Sequence, residues 1–141
     1  MSRPTAEEFL ANFVAAIATR DADRVVACFS KECEFVLPQH PARSFTGRDQ
    51  ARRNWQTIFE AVPDLQVSLL SSSTENNRCW AEWEYRGTRL DAKPHLMRGV
   101  TIIEVDESSR LKTSRFYVDY VDTDETSISE HLAGLKGPDC G

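Results

Sequence analysis

Three stretches in the second half of this chain alternate with a period of two. They are Ala81-Glu82-Trp83-Glu84-Tyr85-Arg86-Gly87-Thr88, Arg98-Gly99-Val100-Thr101-Ile102-Ile103-Glu104-Val105 and Arg115-Phe116-Tyr117-Val118-Asp119. Such alternation marks strands with one buried face and one wet face. Strands of this kind joined by short polar turns become antiparallel neighbours. The amphipathic helices that precede them must cover the apolar face. The chain is therefore held to an α+β architecture, with N-terminal helices packed into a strongly curved, mainly antiparallel sheet. Helices cannot close such a sheet completely. A pocket remains at one end, and the residues aimed into it decide function.

The first helix is expected from about Thr5 to Arg20. Thr5-Ala6-Glu7-Glu8 has the form of a capping box, and Phe9, Leu10, Phe13, Ala16 and Ile17 form an apolar stripe. Asp21 caps a short second helix with Val25, Val26 and Phe29 inward. A strand follows at Cys33 to Leu37, ended by Pro38, and the Pro- and Gly-bearing run from Gln39 to Gly47 reads as a loop. Ala51, Trp55, Ile58, Phe59 and Val62 lie at helical spacing over a third helix from Asp49 to Ala61, stopped by Pro63. Strands are expected at Leu65 to Ser73, Arg78 to Thr88, Leu96 to Val105 and Leu111 to Val121, with turns at Asn76-Asn77 and Asp106 to Ser109. Ser127 can cap a short final helix. The expected organisation is one domain over 1–126 and a C-terminal tail over 127–141.

Composition narrows the partners. The net charge of −5 disfavours an electrostatic grip on nucleic acid. No run of about 18 apolar residues is present to span a membrane. Met1-Ser2-Arg3-Pro4 leads straight into a charged helix, which predicts no secretory leader and a cytoplasmic protein. Cys28, Cys33, Cys79 and Cys140 match no zinc or redox spacing, so they read as reduced thiols. His40, His95 and Asp119 lack local ligand spacing, and no metal is expected. No phosphate loop, nucleophile elbow or dinucleotide fingerprint occurs, so no cofactor is expected.

Several local sequences carry a resemblance. They are Ala15-Ala16-Ile17-Ala18-Thr19-Arg20-Asp21, Phe35-Val36-Leu37-Pro38, Thr46-Gly47-Arg48-Asp49, Trp83-Glu84-Tyr85-Arg86-Gly87-Thr88 and Tyr117-Val118-Asp119. In this order the chain resembles the nuclear transport factor 2-like superfamily, and within it the SnoaL-like group, over about residues 5 to 123. The resemblance implies a cystatin-like cone, often homodimeric through the outer sheet face. That superfamily holds isomerases, cyclases, hydrolases, dehydratases and proteins without catalysis, so the fold does not choose a function.

Ketosteroid isomerases of this fold use a helix Tyr, a strand Asp and a later protonated Asp; the matching positions here are Phe13, Leu37 and Thr101. Leu37 cannot abstract a proton, which disfavours that chemistry. The key Asp of limonene-type epoxide hydrolases corresponds to Phe116. The acid/base Asp of SnoaL-like cyclases corresponds to Asp119. Strand parity conflicts with a catalytic Asp119: if Phe116 and Val118 face the pocket, Asp119 faces away unless a bulge intervenes. The plain alternative is a surface carboxylate pairing with Arg115 or Arg98.

His40, in a loop at the pocket rim, is a second acid/base candidate. His95 follows Pro94 in another loop and is a weaker one. His131 falls in the tail helix. Trp83 and Tyr85 share a face with Cys79 and Ala81, as core or as flat walls for a ring-shaped ligand. The expected ligand-binding set is Phe13, Leu37, Trp55, Trp83, Tyr85, Thr101, Phe116 and Val118. Two functions follow: a pocket for a small, largely apolar molecule, or a SnoaL-like enzyme acting through Asp119 or His40. Trp80, Val100, Ile102, Tyr117 and Tyr120 are expected on the outer face, where a two-fold homodimer would cover them.

Overall fold

The computed structural model describes residues 5–137. The chain runs α1 (Thr5–Ala18), α2 (Ala22–Val26), β1 (Phe29–Val36), a 3-10 turn (Pro41–Arg43), β2 (Phe45–Thr46), α3 (Arg48–Ala61), β3 (Gln66–Glu75), β4 (Arg78–Thr88), β5 (Pro94–Val105), β6 (Leu111–Phe116), β7 (Asp119–Tyr120) and α4 (Ile128–Gly134). The strands form one mixed sheet in the order β2-β1-β6-β5-β4-β3, with β7 continuing beside β5. Among the described strands only β1 and β6 pair in parallel. The α+β cone anticipated from the sequence is the fold observed.

Parity builds the two faces of the sheet. Cys79, Ala81, Trp83 and Tyr85 of β4 stand opposite Ile103, Thr101, Gly99 and Met97 of β5 and point toward the helices. Trp80, Glu82 and Glu84 alternate with them and stand opposite Ile102, Val100 and Arg98 on the other side. A bulge after Leu69 gives β3 one extra residue, so Val67 and Leu69 pair with Tyr85 and Trp83 while Ser72 and Thr74 pair with Ala81 and Cys79. Bulges of this kind bend a strand and increase its twist.

The helices cover that inner face from two sides. α1 packs on β3, β4 and β5, while α3 packs on β1 and β2. Phe9, Leu10, Phe13, Ala16 and Ile17 are buried, as the apolar stripe of α1 requires. Phe13 is the meeting point: its ring lies 5.3 Å from Phe9, 6.0 Å from Trp55 and 5.7 Å from Trp83. Asp21 caps α2 by accepting from the Asp23 amide at 2.9 Å, and Ser127 caps α4 by accepting from the Glu130 amide at 3.2 Å.

Several boundaries differ from the sequence reading. α1 ends at Ala18, because Thr19 turns its hydroxyl onto the Ala16 carbonyl at 2.6 Å and Arg20 adopts a φ of 56°. β1 starts at Phe29, four residues before Cys33, so Phe29 is a strand residue and not the end of a helical stripe. His95 belongs to β5 and not to a loop. The last long strand breaks at Tyr117 and Val118 into β6 and β7. Opposite that break Gly99 takes a φ of 154°, where a Cβ would meet the Tyr117 carbonyl and the Val118 Cα. Cys28, Cys33 and Cys79 are free thiols; Cys140 lies outside the described residues.

Candidate functional site

A cavity of about 440 Å³ lies between α1, α3 and the inner face of the sheet. That volume falls within the range of small-molecule sites, about 300–1,000 Å³. Phe13 forms its α1 wall, and Asn54, Trp55, Thr57 and Ile58 form its α3 wall. Trp83 and Tyr85 come from β4, and Thr101 and Ile103 from β5. Leu111, Ser114 and Phe116 come from β6, and Phe29, Phe35 and Leu37 from β1 and its exit. Arg43 and Phe45 close the rim.

Of the residues anticipated to bind a ligand, Phe13, Leu37, Trp55, Trp83, Tyr85, Thr101 and Phe116 line this space. Val118 does not: it is buried, but the break between β6 and β7 takes it out of the wall. Phe35 and Ser114 were missed although parity placed them, two residues from Leu37 and Phe116 respectively. Arg43 and Phe45 lie in a loop with no periodicity to reveal them.

Apart from Arg43 at the rim, the polar side chains that line the cavity are neutral. The Trp83 indole donates to the Thr101 hydroxyl at 2.8 Å, deep in the wall, which leaves the hydroxyl proton available to another acceptor. The hydroxyls of Tyr85 and Ser114 have no hydrogen-bond partner among the described residues. Burial pushes the Tyr85 phenol up, so it remains a protonated donor. No carboxylate or imidazole lines the cavity among the described residues.

The two acid/base candidates meet each other instead. His40 Nε2 lies 2.8 Å from Asp119 Oδ2, and their side chains are 36% and 42% exposed. Asp119 stands opposite Arg98 on β5, which puts it on the parity of the outer face. Its partner is therefore His40, reached by the loop that leaves β1, and not Arg98 or Arg115. Arg98 is engaged by Glu84 at 2.9 Å. The hydrogen bond from His40, and then that from the Tyr120 amide, holds the Asp119 carboxyl below its ordinary range.

His95 packs edge-on against Tyr120 with ring centroids 5.5 Å apart, and burial, then the charge of Arg89, lowers its pKa. Tyr120 stands opposite Met97, which gives it the parity of the inner face and not the outer face anticipated for it. It is 55% exposed beyond the helices, with Arg89 over its ring at 5.1 Å. His131 lies in α4. Among the described residues no group of three His, Cys, Asp or Glu side chains could hold a metal ion.

A family model described as a SnoaL-like domain matches residues 10–112. No curated protein matches the sequence significantly. Solved structures do match the fold. A Methylobium petroleophilum protein of unknown function with a cystatin-like fold is 20% identical, with 92% of this chain and 84% of that one covered and a TM-score of 0.69. A Catenulispora acidiphila protein with a ketosteroid isomerase-like fold, in complex with trimethylamine, is 16% identical, with 93% and 94% covered and a TM-score of 0.68. A Mycobacterium tuberculosis protein in complex with estradiol-17beta-hemisuccinate is 13% identical, with 82% and 94% covered and a TM-score of 0.70. At these identities the likeness is one of fold.

Proposed function

The chain belongs to the SnoaL-like domain family, and from that membership we propose that its cavity binds a small, largely apolar, ring-shaped molecule without transforming it. The observation that carries this reading is the wall itself. About 440 Å³ is lined by aromatic and aliphatic side chains, with neutral hydroxyls, the Asn54 amide and, at the rim, the Arg43 guanidinium, and with no carboxylate or imidazole among the described lining residues. Burial of a ligand's apolar surface there is worth about 25 cal/mol per Å² before ordering costs are subtracted. The complex of a structurally similar protein with an estradiol ester is consistent with a ring-shaped guest. Calorimetric titration with a panel of neutral fused-ring compounds tests the reading. Saturable binding with a negative heat-capacity change is expected; absence of binding across the panel contradicts it.

A second reading rests on the 2.8 Å contact between His40 and Asp119. A carboxylate that fixes one imidazole nitrogen leaves Nδ1 as a general base, and a substrate group emerging from the cavity mouth would be its target. Under this reading the protein is a cyclase, isomerase or hydratase. Turnover of a panel compound that is lost in His40→Ala supports the enzyme. Steroid isomerisation by a strand carboxylate is not expected under either reading, because Leu37 occupies that position in the wall.

We also propose a homodimer through the outer sheet face, in the cytoplasm, with no role in nucleic-acid binding. Trp80 is 51% exposed there, opposite Ile102, with Val100 and Tyr117 partly exposed nearby. A self-complementary two-fold contact would cover them. Sedimentation as a dimer that Tyr117→Glu weakens is expected; a clean monomer at micromolar concentration contradicts it. No helix among the described residues is long and apolar enough to cross a membrane.

A further inference from the structure

Among the described residues lining the cavity, Arg43 alone carries a charge. Its backbone is held firmly. It ends the 3-10 turn, its amide donating to the His40 carbonyl at 2.8 Å. Ser44 donates from its amide to the Pro41 carbonyl at 3.1 Å, and its hydroxyl accepts from the Leu37 amide at 3.0 Å. The contact of His40 with Asp119 ties the same turn to β7. The loop thus engages Asp119 through one residue and presents another to the cavity.

The guanidinium itself is not consumed by these contacts. Arg43 forms no ion pair with a described carboxylate. Asp119 feels its charge, but at longer range than its hydrogen bonds to His40 and to the Tyr120 amide. Beside it Phe45 stacks on Phe35 with centroids 4.8 Å apart, which extends the apolar wall to the rim. A cation at the edge of a low-dielectric wall acts at greater strength than the same cation in open water. The planar guanidinium offers paired donors that match the oxygens of a carboxylate or sulfonate.

We propose that the ligand is an amphiphilic anion: its apolar ring system fills the cavity and an oxyacid head group meets Arg43 at the mouth. This rests on the proposal that the cavity is a ligand site, and it adds the ligand's charge and orientation. Arg43 is then the residue that selects anionic guests over neutral guests of the same shape.

Two fluorescent probes with the same ring skeleton test this. 8-Anilino-1-naphthalenesulfonate is anionic, and N-phenyl-1-naphthylamine is neutral. Each is titrated into wild type, Arg43→Gln and Arg43→Lys at low and high ionic strength. Arg43→Gln is expected to lower the ratio of sulfonate to neutral affinity about threefold to tenfold, and Arg43→Lys to lower it less. Salt should lower the same ratio in wild type, because the contact lies at a solvent-reached mouth. That wild-type salt series decides the matter even if the variants fold poorly. A ratio unmoved by salt, or unmoved by Arg43→Gln in a folded variant, overturns selection by Arg43 while leaving an apolar pocket in place. Failure of both probes to bind wild type overturns the ligand-site proposal itself, and this one with it.

Discussion

The two faces of β4 are made by neighbouring residues of one strand, yet they obey opposite rules. On the inner face Trp83 is 0% exposed, stacked edge-on with Phe13 and Tyr85 and hydrogen-bonded to Thr101. Three residues earlier, Trp80 is exposed on the outer face, between Ser73 on one neighbouring strand and Ile102 on the other. Residue type does not distinguish them; parity does. A tryptophan on the inner face is both core and cavity wall, so its removal touches folding and binding together. A tryptophan on the outer face is free for a second protein surface.

Loss of the inner tryptophan should cost the most. Trp83→Ala deletes a buried aromatic and leaves Thr101 without its donor, at a cost of about 3–5 kcal/mol of stability. Trp80→Ala should cost below about 1 kcal/mol under conditions where the protein is monomeric. Denaturant melts of both variants measure the difference. Equal losses would mean that the faces are misassigned.

Gly99→Ala probes the point where the inner face changes course. The added Cβ would meet backbone atoms of Tyr117 and Val118, at a φ of 154° that side chains rarely tolerate. A loss of about 1–3 kcal/mol is expected from the melts. A neutral substitution would show that the break between β6 and β7 does not depend on close approach at Gly99.

The smallest effect belongs to the rim. The Asp119 carboxyl is held below its ordinary range in the folded protein, so its contact with His40 stabilises at pH values above that range. The contribution is lost as pH falls through the depressed value. The pair is well exposed and screened, so the contribution is below about 1 kcal/mol. Melts of wild type and His40→Ala should differ slightly near neutrality and converge in acid. A gap that widens in acid contradicts the assignment.

How much of this was legible depended on periodicity. The run from Arg78 to Thr88 alternates without interruption, and β4 has those bounds. The start of β1 was hidden because Phe29 continues the apolar spacing of Val25 and Val26, so it read as helix. The break in the last strand was hidden because Gly99, whose backbone it approaches closely, lies on the neighbouring strand. The contact of His40 with Asp119 spans 79 positions, and no spacing rule connects them. Arg43 had no pattern at all: only the turn that holds it shows that it reaches the cavity. The walls were legible because buried faces repeat, whereas the rim is built from loop residues that do not.

Whether the inner face of β4 walls a site for an apolar guest is decided by tryptophan emission during titration with a neutral polycycle, in wild type and in Trp83→Phe. Trp83 lies in the wall, Trp55 faces it from α3, and Trp80 stands outside. A saturable change in wild type that shrinks substantially in Trp83→Phe, with binding retained by calorimetry, is the predicted result. An undiminished change in Trp83→Phe, or no saturable change in wild type, would contradict the account.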